Sequence, residues 1–392
     1  MFRKFIRAAF AVAMTVVMLA CMFGCNATVS NPVIARIGDI DVPYSDFYYK
    51  YQNLYQWYEY GYYQFTEDQD VSEEIRKLTF DAVIEEYAPI AAAHAENMAL
   101  SAEDEETAAA NTQALLDNYL SNYASMIDLT LTDADAIYNA KLELLKKDLK
   151  SSGIKFDDFI DELETSTRDE LLRAAMIEKV RGAAEVTDEE IQDWYDTTLE
   201  TQHEYFDEDP ASYYTYYSSY QSYGGVEPIF APEGYYYVKQ ILIKNAAEGE
   251  DKDVDALIAE IQQKIDAGED FDALVAEYNE DTGMAEEGYP FHESIADKYF
   301  EEFSAAAKLL KTEGEISDAV TSSSGVHILM RGADISTTPK TVDELHDQIY
   351  DYLMLEEGDI LEDEAIVNWK EELDIKLYDS RVRYIEFNGT QQ

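Results

Sequence analysis

The side chains most often used for proton transfer and metal binding are histidines, and this chain has five of them. They are scattered, without the short intervals that let two imidazoles bind one metal ion. Asp251, Asp253 and Asp255 alternate as in a calcium loop. That loop needs a glycine where Ala256 stands and a glutamate where Gln262 stands, so the sequence does not predict an EF-hand. A phosphate-binding glycine loop and a Gly-x-Ser-x-Gly turn are also absent from the sequence.

Both cysteines of the chain lie in an N-terminal segment typical of a secretory signal. Three cations stand among the first seven residues, and the run 8–23 that follows carries no charge. A small residue before cysteine resembles a bacterial lipoprotein signal, so we expect cleavage after residues 1–24 and lipidation of Cys25, with Cys21 as the alternative. Residues 1–25 are set apart as this signal. An uncleaved membrane anchor is the other interpretation, but the run is short for a membrane span.

The remainder of the chain has no cysteine, which excludes disulfides, zinc ribbons and cysteine nucleophiles there. An exported protein without disulfides suits the outer face of a Gram-positive cell, where we expect it to be held at the membrane by its lipid anchor. This localisation is extracytoplasmic.

The composition describes an acidic protein with enough apolar residues for several cores. Its 392 residues include 29 Lys+Arg and 82 Asp+Glu, a net charge of −53, with 46% hydrophobic residues. This charge excludes a general attraction to nucleic acid, because binding phosphates requires clustered cations. The same charge repels anionic lipid headgroups. The apolar content excludes a wholly disordered chain. We therefore expect neutral, cationic or apolar partners and no nucleic acid.

Hydrophobic periodicity predicts an α+β protein with one mainly helical lobe and one inserted domain. Helical spacing dominates residues 44–200 after a short strand at 33–38. From residue 235 the pattern becomes β-α-α-α-β-β, and a helix at 341–377 with a strand at 382–387 follows. The C-terminal helix and strand have no core of their own, so we expect them to pack on the N-terminal lobe.

The predicted domains follow from these changes of pattern. The lobe comprises residues 26–200, a tyrosine-rich linker follows at 201–233, the inserted domain at 234–334 and the C-terminal part at 335–392. The tyrosine-rich segment is interpreted as a flexible linker, with a binding surface as the alternative.

The inserted domain resembles a parvulin-type peptidyl-prolyl isomerase. Five motifs occur in order with the spacing of that family: VKQILI (238–243), GEDF (268–271), YNED (278–281), GEIS (314–317) and SGVHIL (324–329). The helical flanks resemble, less specifically, the SurA-like chaperone lobe of exported foldase lipoproteins of the PrsA type.

This resemblance implies a site made of a polar floor and an apolar pocket for proline. Carried over by position, the floor consists of Gln240, Asp281, Ser322, Ser324 and His327. The pocket falls on Pro290 or Phe291, with Tyr299 and Phe303. The family usually has histidine where this chain has Gln240, and glutamine can donate and accept a hydrogen bond but does not titrate.

The resemblance therefore implies an extracytoplasmic foldase that isomerises X–Pro bonds of unfolded exported polypeptides. Such catalysis needs no nucleophile, metal or cofactor. Two alternatives remain: a holdase that keeps the fold without catalysis, which Gln240 favours, and a surface adhesion lipoprotein, which the tyrosine-rich tract favours. The sequence leaves homodimer formation open.

Overall fold

The computed structural model describes residues 31–66, 69–127, 131–247 and 252–385. This part of the chain forms two compact units. The first unit contains the described residues up to Ala184 and those from Glu357 onward, and the second is Glu185–Glu356. The signal segment with Cys21 and Cys25, and Asp251 of the calcium-like pattern, lie outside the described residues. No described helix combines the length and the apolar character needed to cross a membrane.

The described residues contain helices and short strands in the following order. The elements are β1 (Val33–Ile37), β2 (Ile40–Pro43), α1 (Tyr44–Glu59), α2 (Val71–Ala95), α3 (Ala102–Ser121), α4 (Ala134–Ser151), α5 (Phe156–Arg181), α6 (Asp188–Glu208), α7 (Ser212–Tyr223), β3 (Tyr236–Lys244), α8 (Val254–Asp266), α9 (Phe271–Tyr278), β4 (Tyr289–Phe291), α10 (Glu301–Ala307), β5 (Val320–Thr321), β6 (Gly325–Asp334), α11 (Val342–Glu372) and β7 (Ile375–Leu377). Short 3₁₀ helices cover Glu293–Lys298 and Asp379–Arg381. The predicted α+β class is confirmed.

The first unit is a helical lobe around a small antiparallel sheet of order β2-β1-β7. Its main core is built on fully buried Ile34, Phe47 and Ile75, against which Trp369 of α11 packs. The sequence predicts helix to residue 377 and a strand at 382–387. The structure instead ends α11 at Glu372 and pairs Ile375–Leu377 with β1, because the edge of β1 offers unpaired backbone groups there. Residues 382–385 are not a strand, and the rest of that prediction lies outside the described residues.

The second unit is built on an antiparallel sheet of order β4-β3-β6-β5. Helices α8 and α9 cover one face with a core that includes Ile241 and Ile328. The opposite face carries Val238, Leu329 and Phe303 of α10. Because side chains alternate along a strand, Gln240 lies on this second face with Val238, and His327 lies there with Leu329. The register pairs Gln240 with Leu329 and Leu242 with His327, so Gln240 and His327 are diagonal neighbours on one face.

The structure differs from the prediction in the tyrosine-rich segment, which is helical and packed. Helix α6 continues to Glu208 and α7 follows after three residues. Tyr213 is buried in a core with Phe206 and Ile229, to which the first part of α11 contributes Leu345. The aromatic residues recur at helical spacing, and the burial of their rings stabilises the helix. Composition alone does not reveal this spacing, and for that reason it predicts a linker.

Candidate active site

Two central strands place the site on the second face of the sheet. His327 on β6 is 2% exposed and Gln240 on β3 is 5% exposed. The Nδ1 atom of His327 lies 2.7 Å from Oε1 of Gln240. A buried polar pair on an otherwise apolar face would be costly without further partners, so both groups must be satisfied on their other sides.

A continuous hydrogen-bonded chain supplies those partners. Nε2 of Gln240 donates to Oδ2 of Asp281 at 2.6 Å, and the hydroxyl of Tyr289 donates to the same oxygen at 2.7 Å. At the other end, Oγ of Ser322 lies 2.7 Å from Nε2 of His327. The backbone N–H of Ser324 donates to Oγ of Ser322 at 3.1 Å. The five residues of the predicted floor therefore meet in one chain, with Ser324 contributing its backbone.

The carboxylate of Asp281 sets the direction of the bonds that link it through Gln240 to His327. An ionised carboxylate only accepts, so the Gln240 amide must present its NH₂ to Asp281 and its oxygen to His327. Nδ1 of His327 therefore carries a proton. Because burial lowers the pKa of the ring, Nε2 is left unprotonated and accepts from the hydroxyl of Ser322. His327 is thus held as the neutral Nδ1–H tautomer. Glutamine at position 240 can accept one hydrogen bond and donate another, as the hydrogen-bonded chain requires.

Burial reinforces the neutral state of the imidazole. It lowers the pKa of His327, while the charges of Asp281 and Glu302 act in the opposite direction. Burial and the hydrogen bond to Asp281 raise the pKa of Tyr289, so this phenol remains a donor at physiological pH. Among the described residues, no group of three or more His, Cys, Asp or Glu is placed to hold a metal ion.

Aromatic rings lie next to the polar chain. The predicted pocket residues Phe291 and Phe303 are 1% and 3% exposed, and Tyr299 is half-buried. The rings of Tyr299 and Phe303 are stacked with centroids 5.1 Å apart, and the Tyr299 hydroxyl donates to the carbonyl of Pro290 at 2.6 Å. Phe303 also meets the His327 ring edge-on at 6.2 Å. The predicted rings therefore lie together beside His327, with Phe291 and Phe303 mainly in the core.

Reasoning from the sequence missed two residues of this site. Tyr289 donates to Asp281, and the ring of Phe300, which is 43% exposed, lies 6.0 Å from the His327 ring. Two-residue alternation along β4 would have placed Tyr289 on the same face as Phe291. Phe300 follows Tyr299 in the sequence but lies before α10, so helical spacing does not indicate the direction of its side chain.

The comparisons with known proteins concern the same region. Residues 240–332 match the family model described as Rotamase, PPIC-type PPIASE domain. A foldase protein PrsA from Oceanobacillus iheyensis is 42% identical over 90 residues, which cover 23% of this chain and 29% of that protein. A foldase protein PrsA from Clostridium botulinum is 23% identical over 256 residues, covering 65% of this chain and 64% of that protein. The crystal structure of PrsA from Bacillus subtilis is 19% identical and covers 70% of this chain and 87% of its own, with a TM-score of 0.23.

The first three curated relatives are matched over only 25–31% of their length. The family model, in contrast, spans β3 to β6 and includes the five residues of the polar chain predicted from the motifs. Residues 240–332 therefore form a PPIC-type domain of the parvulin peptidyl-prolyl isomerases.

Proposed function

We propose that this site catalyses cis–trans isomerisation of X–Pro peptide bonds in unfolded polypeptides. The observation that carries the proposal is the directed hydrogen-bond chain that runs beside aromatic rings. It leads from Tyr289 to Asp281, then through Gln240 and His327 to Ser322. An enzyme of this kind needs an apolar contact for the proline ring next to fixed polar groups. The second face of the sheet offers both within one site.

The chemistry requires no covalent step. Rotation about a peptide bond faces a barrier of about 20 kcal/mol because twisting breaks the conjugation between nitrogen and carbonyl. The twisted amide has a more localised charge on its oxygen and a lone pair on its nitrogen. Fixed dipoles that favour this distribution, together with a dry contact for the pyrrolidine ring, lower the barrier without a nucleophile.

His327 acts in this proposal as a positioning residue. Both of its ring nitrogens are engaged, and burial lowers its pKa, so it does not exchange a proton with the substrate. It connects the hydroxyl of Ser322 to the amide of Gln240 and keeps both dipoles in a fixed direction. The exposed ring of Phe300 and the half-buried ring of Tyr299 are the contacts we assign to the substrate proline.

The whole chain is proposed to be an extracytoplasmic foldase for exported polypeptides. The signal-like residues 1–25 support attachment through a lipid on Cys25, or alternatively Cys21, which leaves the folded part outside the cytoplasm. The first unit is proposed to hold unfolded clients. Its support is exposed aromatic surface at the end of α1, where Tyr60 and Tyr62 are 69% and 54% exposed.

The test is an NMR exchange assay on the chain lacking residues 1–25, with a neutral X–Pro peptide. We expect acceleration by the wild type and a loss of about tenfold or more in His327→Ala, because the chain of dipoles is broken. The matched control is His346→Ala, which removes a histidine whose side chain is 44% exposed on α11 and should keep the activity.

A parallel aggregation-suppression assay separates the two rival functions. A chain that protects an unfolding client but does not accelerate exchange would be a holdase. A chain that does neither would contradict the foldase proposal and favour an adhesion protein. Acceleration that survives in His327→Ala would refute the proposed role of the polar chain.

A further inference from the structure

Helix α7 brings a tyrosine against the isomerase site from outside the family domain. The helix covers Ser212–Tyr223, whereas the family model begins at residue 240. The ring of Tyr214 meets that of Tyr299 edge-on, with centroids 6.2 Å apart. Tyr299 in turn contacts the rings of Tyr289 and Phe303 at 6.0 and 5.1 Å. Tyr214 therefore extends the aromatic surface of the site.

The orientation of α7 is fixed by the neighbouring residue. Tyr213 is 4% exposed and its ring packs edge-on against Phe206 at 5.8 Å and Tyr235 at 4.6 Å. Tyr217 lies three residues after Tyr214, so the two share a side of the helix. Burial raises the pKa of Tyr217 to about 12, and the charge of Glu287, in the loop before β4, adds to this shift. The Tyr217 phenol therefore remains neutral beside the site.

The surroundings of these rings are strongly acidic. Residues 281–307, which lie between α9 and the end of α10, contain seven Asp and Glu and a single lysine. Glu302 acts electrostatically on His327, and Glu287 acts on Tyr217. Within the described ranges, no lysine or arginine lies within ion-pairing distance of either glutamate. The lysine of the segment, Lys298, already faces Asp297 at 3.6 Å, and Lys308, directly after it, faces Glu293 at 3.8 Å.

We propose that Tyr214 and Tyr217 are specificity-determining residues that select X–Pro bonds flanked by lysine or arginine. This inference rests on the proposed isomerase function and specifies its substrate class. A cation next to the proline would lie over a phenol ring and close to Glu287 or Glu302, which combines cation–π and Coulomb attraction. The second unit already uses this contact, since the guanidinium of Arg331 lies 3.5 Å from the ring centroid of Tyr236.

The test uses three peptides of the form Xaa-Pro-Xaa, in which Xaa is lysine, leucine or glutamate. The assay measures kcat/KM by NMR exchange with the chain lacking residues 1–25. We expect the lysine peptide to exceed the glutamate peptide by about tenfold at low salt, and this ratio to fall at high salt. Tyr214→Leu should lower the lysine-to-glutamate ratio by about threefold. Tyr214→Phe, which keeps the ring, should show the wild-type ratio.

Two further variants test the acidic residue and provide a control. Glu287→Gln changes an exposed side chain that no core needs, and it should also lower the ratio. Tyr223→Leu is the matched control, because this tyrosine is 71% exposed at the far end of α7 and should leave the ratio unchanged.

The outcomes separate the two proposals. Acceleration of all peptides with a ratio near one, or a ratio that is the same in wild type and Tyr214→Leu, would overturn the specificity and leave the isomerase standing. A higher rate for the glutamate peptide would also overturn it. No acceleration of any peptide would overturn the isomerase function, and the inference with it.

Discussion

The direction of the hydrogen-bond chain leads to a prediction about a single proton. His327 should be the neutral Nδ1–H tautomer, because Asp281 can only accept and so turns the amide oxygen of Gln240 toward Nδ1. The Asp281→Asn substitution removes this constraint. If the oxygen of the new amide keeps its bonds to Gln240 and Tyr289, the NH₂ group of that amide faces the N–H of Gly283, which the wild-type carboxylate accepts at 3.0 Å. If the new amide turns over, Gln240 must turn too, and His327 changes tautomer.

The cost of Asp281→Asn follows from the bonds that change. Hydrogen bonds to a charged acceptor contribute about 1 kcal/mol more than neutral ones, and two side-chain bonds lose this charge. A third donor, the Gly283 N–H, is exposed and can bond to water instead, so it adds little to the cost. We therefore expect the second unit to lose about 2 kcal/mol of unfolding free energy, roughly thirtyfold in its unfolding constant.

The assay is the ¹H–¹⁵N correlation pattern of the His327 ring, which distinguishes Nδ1–H, Nε2–H and doubly protonated imidazole. Wild type should show Nδ1–H at neutral pH, and Asp281→Asn should show a mixture or the Nε2–H form with reduced isomerase activity. The control is Tyr289→Phe, which removes one donor and should cost about 1 kcal/mol without changing the tautomer. A wild-type Nε2–H tautomer, or a charged His327 at pH 7, would refute the directed chain.

Three further predictions follow from the structure, and a fourth follows from the sequence. Gln240→His should retain activity within about fivefold, since an imidazole can also accept from one neighbour and donate to another, whereas a Gln240→Leu control should lose it. Because the pKa of His327 is lowered in the native state, the unfolded state binds the proton more readily. The second unit should therefore lose stability as pH falls below about 6.5. Hydrogen exchange on β6 measures this loss, which should be smaller in His327→Gln. Burial raises the pKa of Asp46 in the first unit to about 6, so the native state keeps a proton that the unfolded state has lost. The stability of that unit should fall as pH rises from about 4 to about 6, and Asp46→Asn should flatten this dependence in hydrogen exchange on β1; an unchanged slope would contradict it. Cys25→Ser should abolish metabolic labelling with a fatty acid while Cys21→Ser retains it, and the reverse pattern would move the anchor to Cys21.

Much of the PPIC-type domain could be predicted from its sequence because its signals are local. The apolar alternation of β3 and the amphipathic spacing of α8 are properties of neighbouring residues. The motif around His327 places it on a strand directly after a turn, and Gly325 has φ of 153° with a Cβ position that would lie 2.2 Å from the Ile243 carbonyl oxygen. Only glycine fits at position 325, so the turn can be predicted from the sequence.

Other features were not predictable in this way. Whether the tyrosine-rich segment is linker or helix depends on whether its rings find partners, and the partners of Tyr213 lie at Phe206 and Tyr235. Likewise, the end of α11 at Glu372 depends on the free edge of β1, more than 330 residues earlier in the chain. Long-range pairing of this kind leaves no local pattern.

The sequence by itself determined the α+β class, the parvulin motifs and the residue types of the polar floor, because these depend on spacing within a few turns of chain. Only the tertiary structure decided how those residues act together. It placed Gln240 and His327 as diagonal neighbours on one face, brought Tyr289 to Asp281 and laid Tyr214 against Tyr299. The physical reason is that hydrogen-bond direction and ring contacts are properties of pairs, and these pairs form only when strand register and helix packing bring distant residues together.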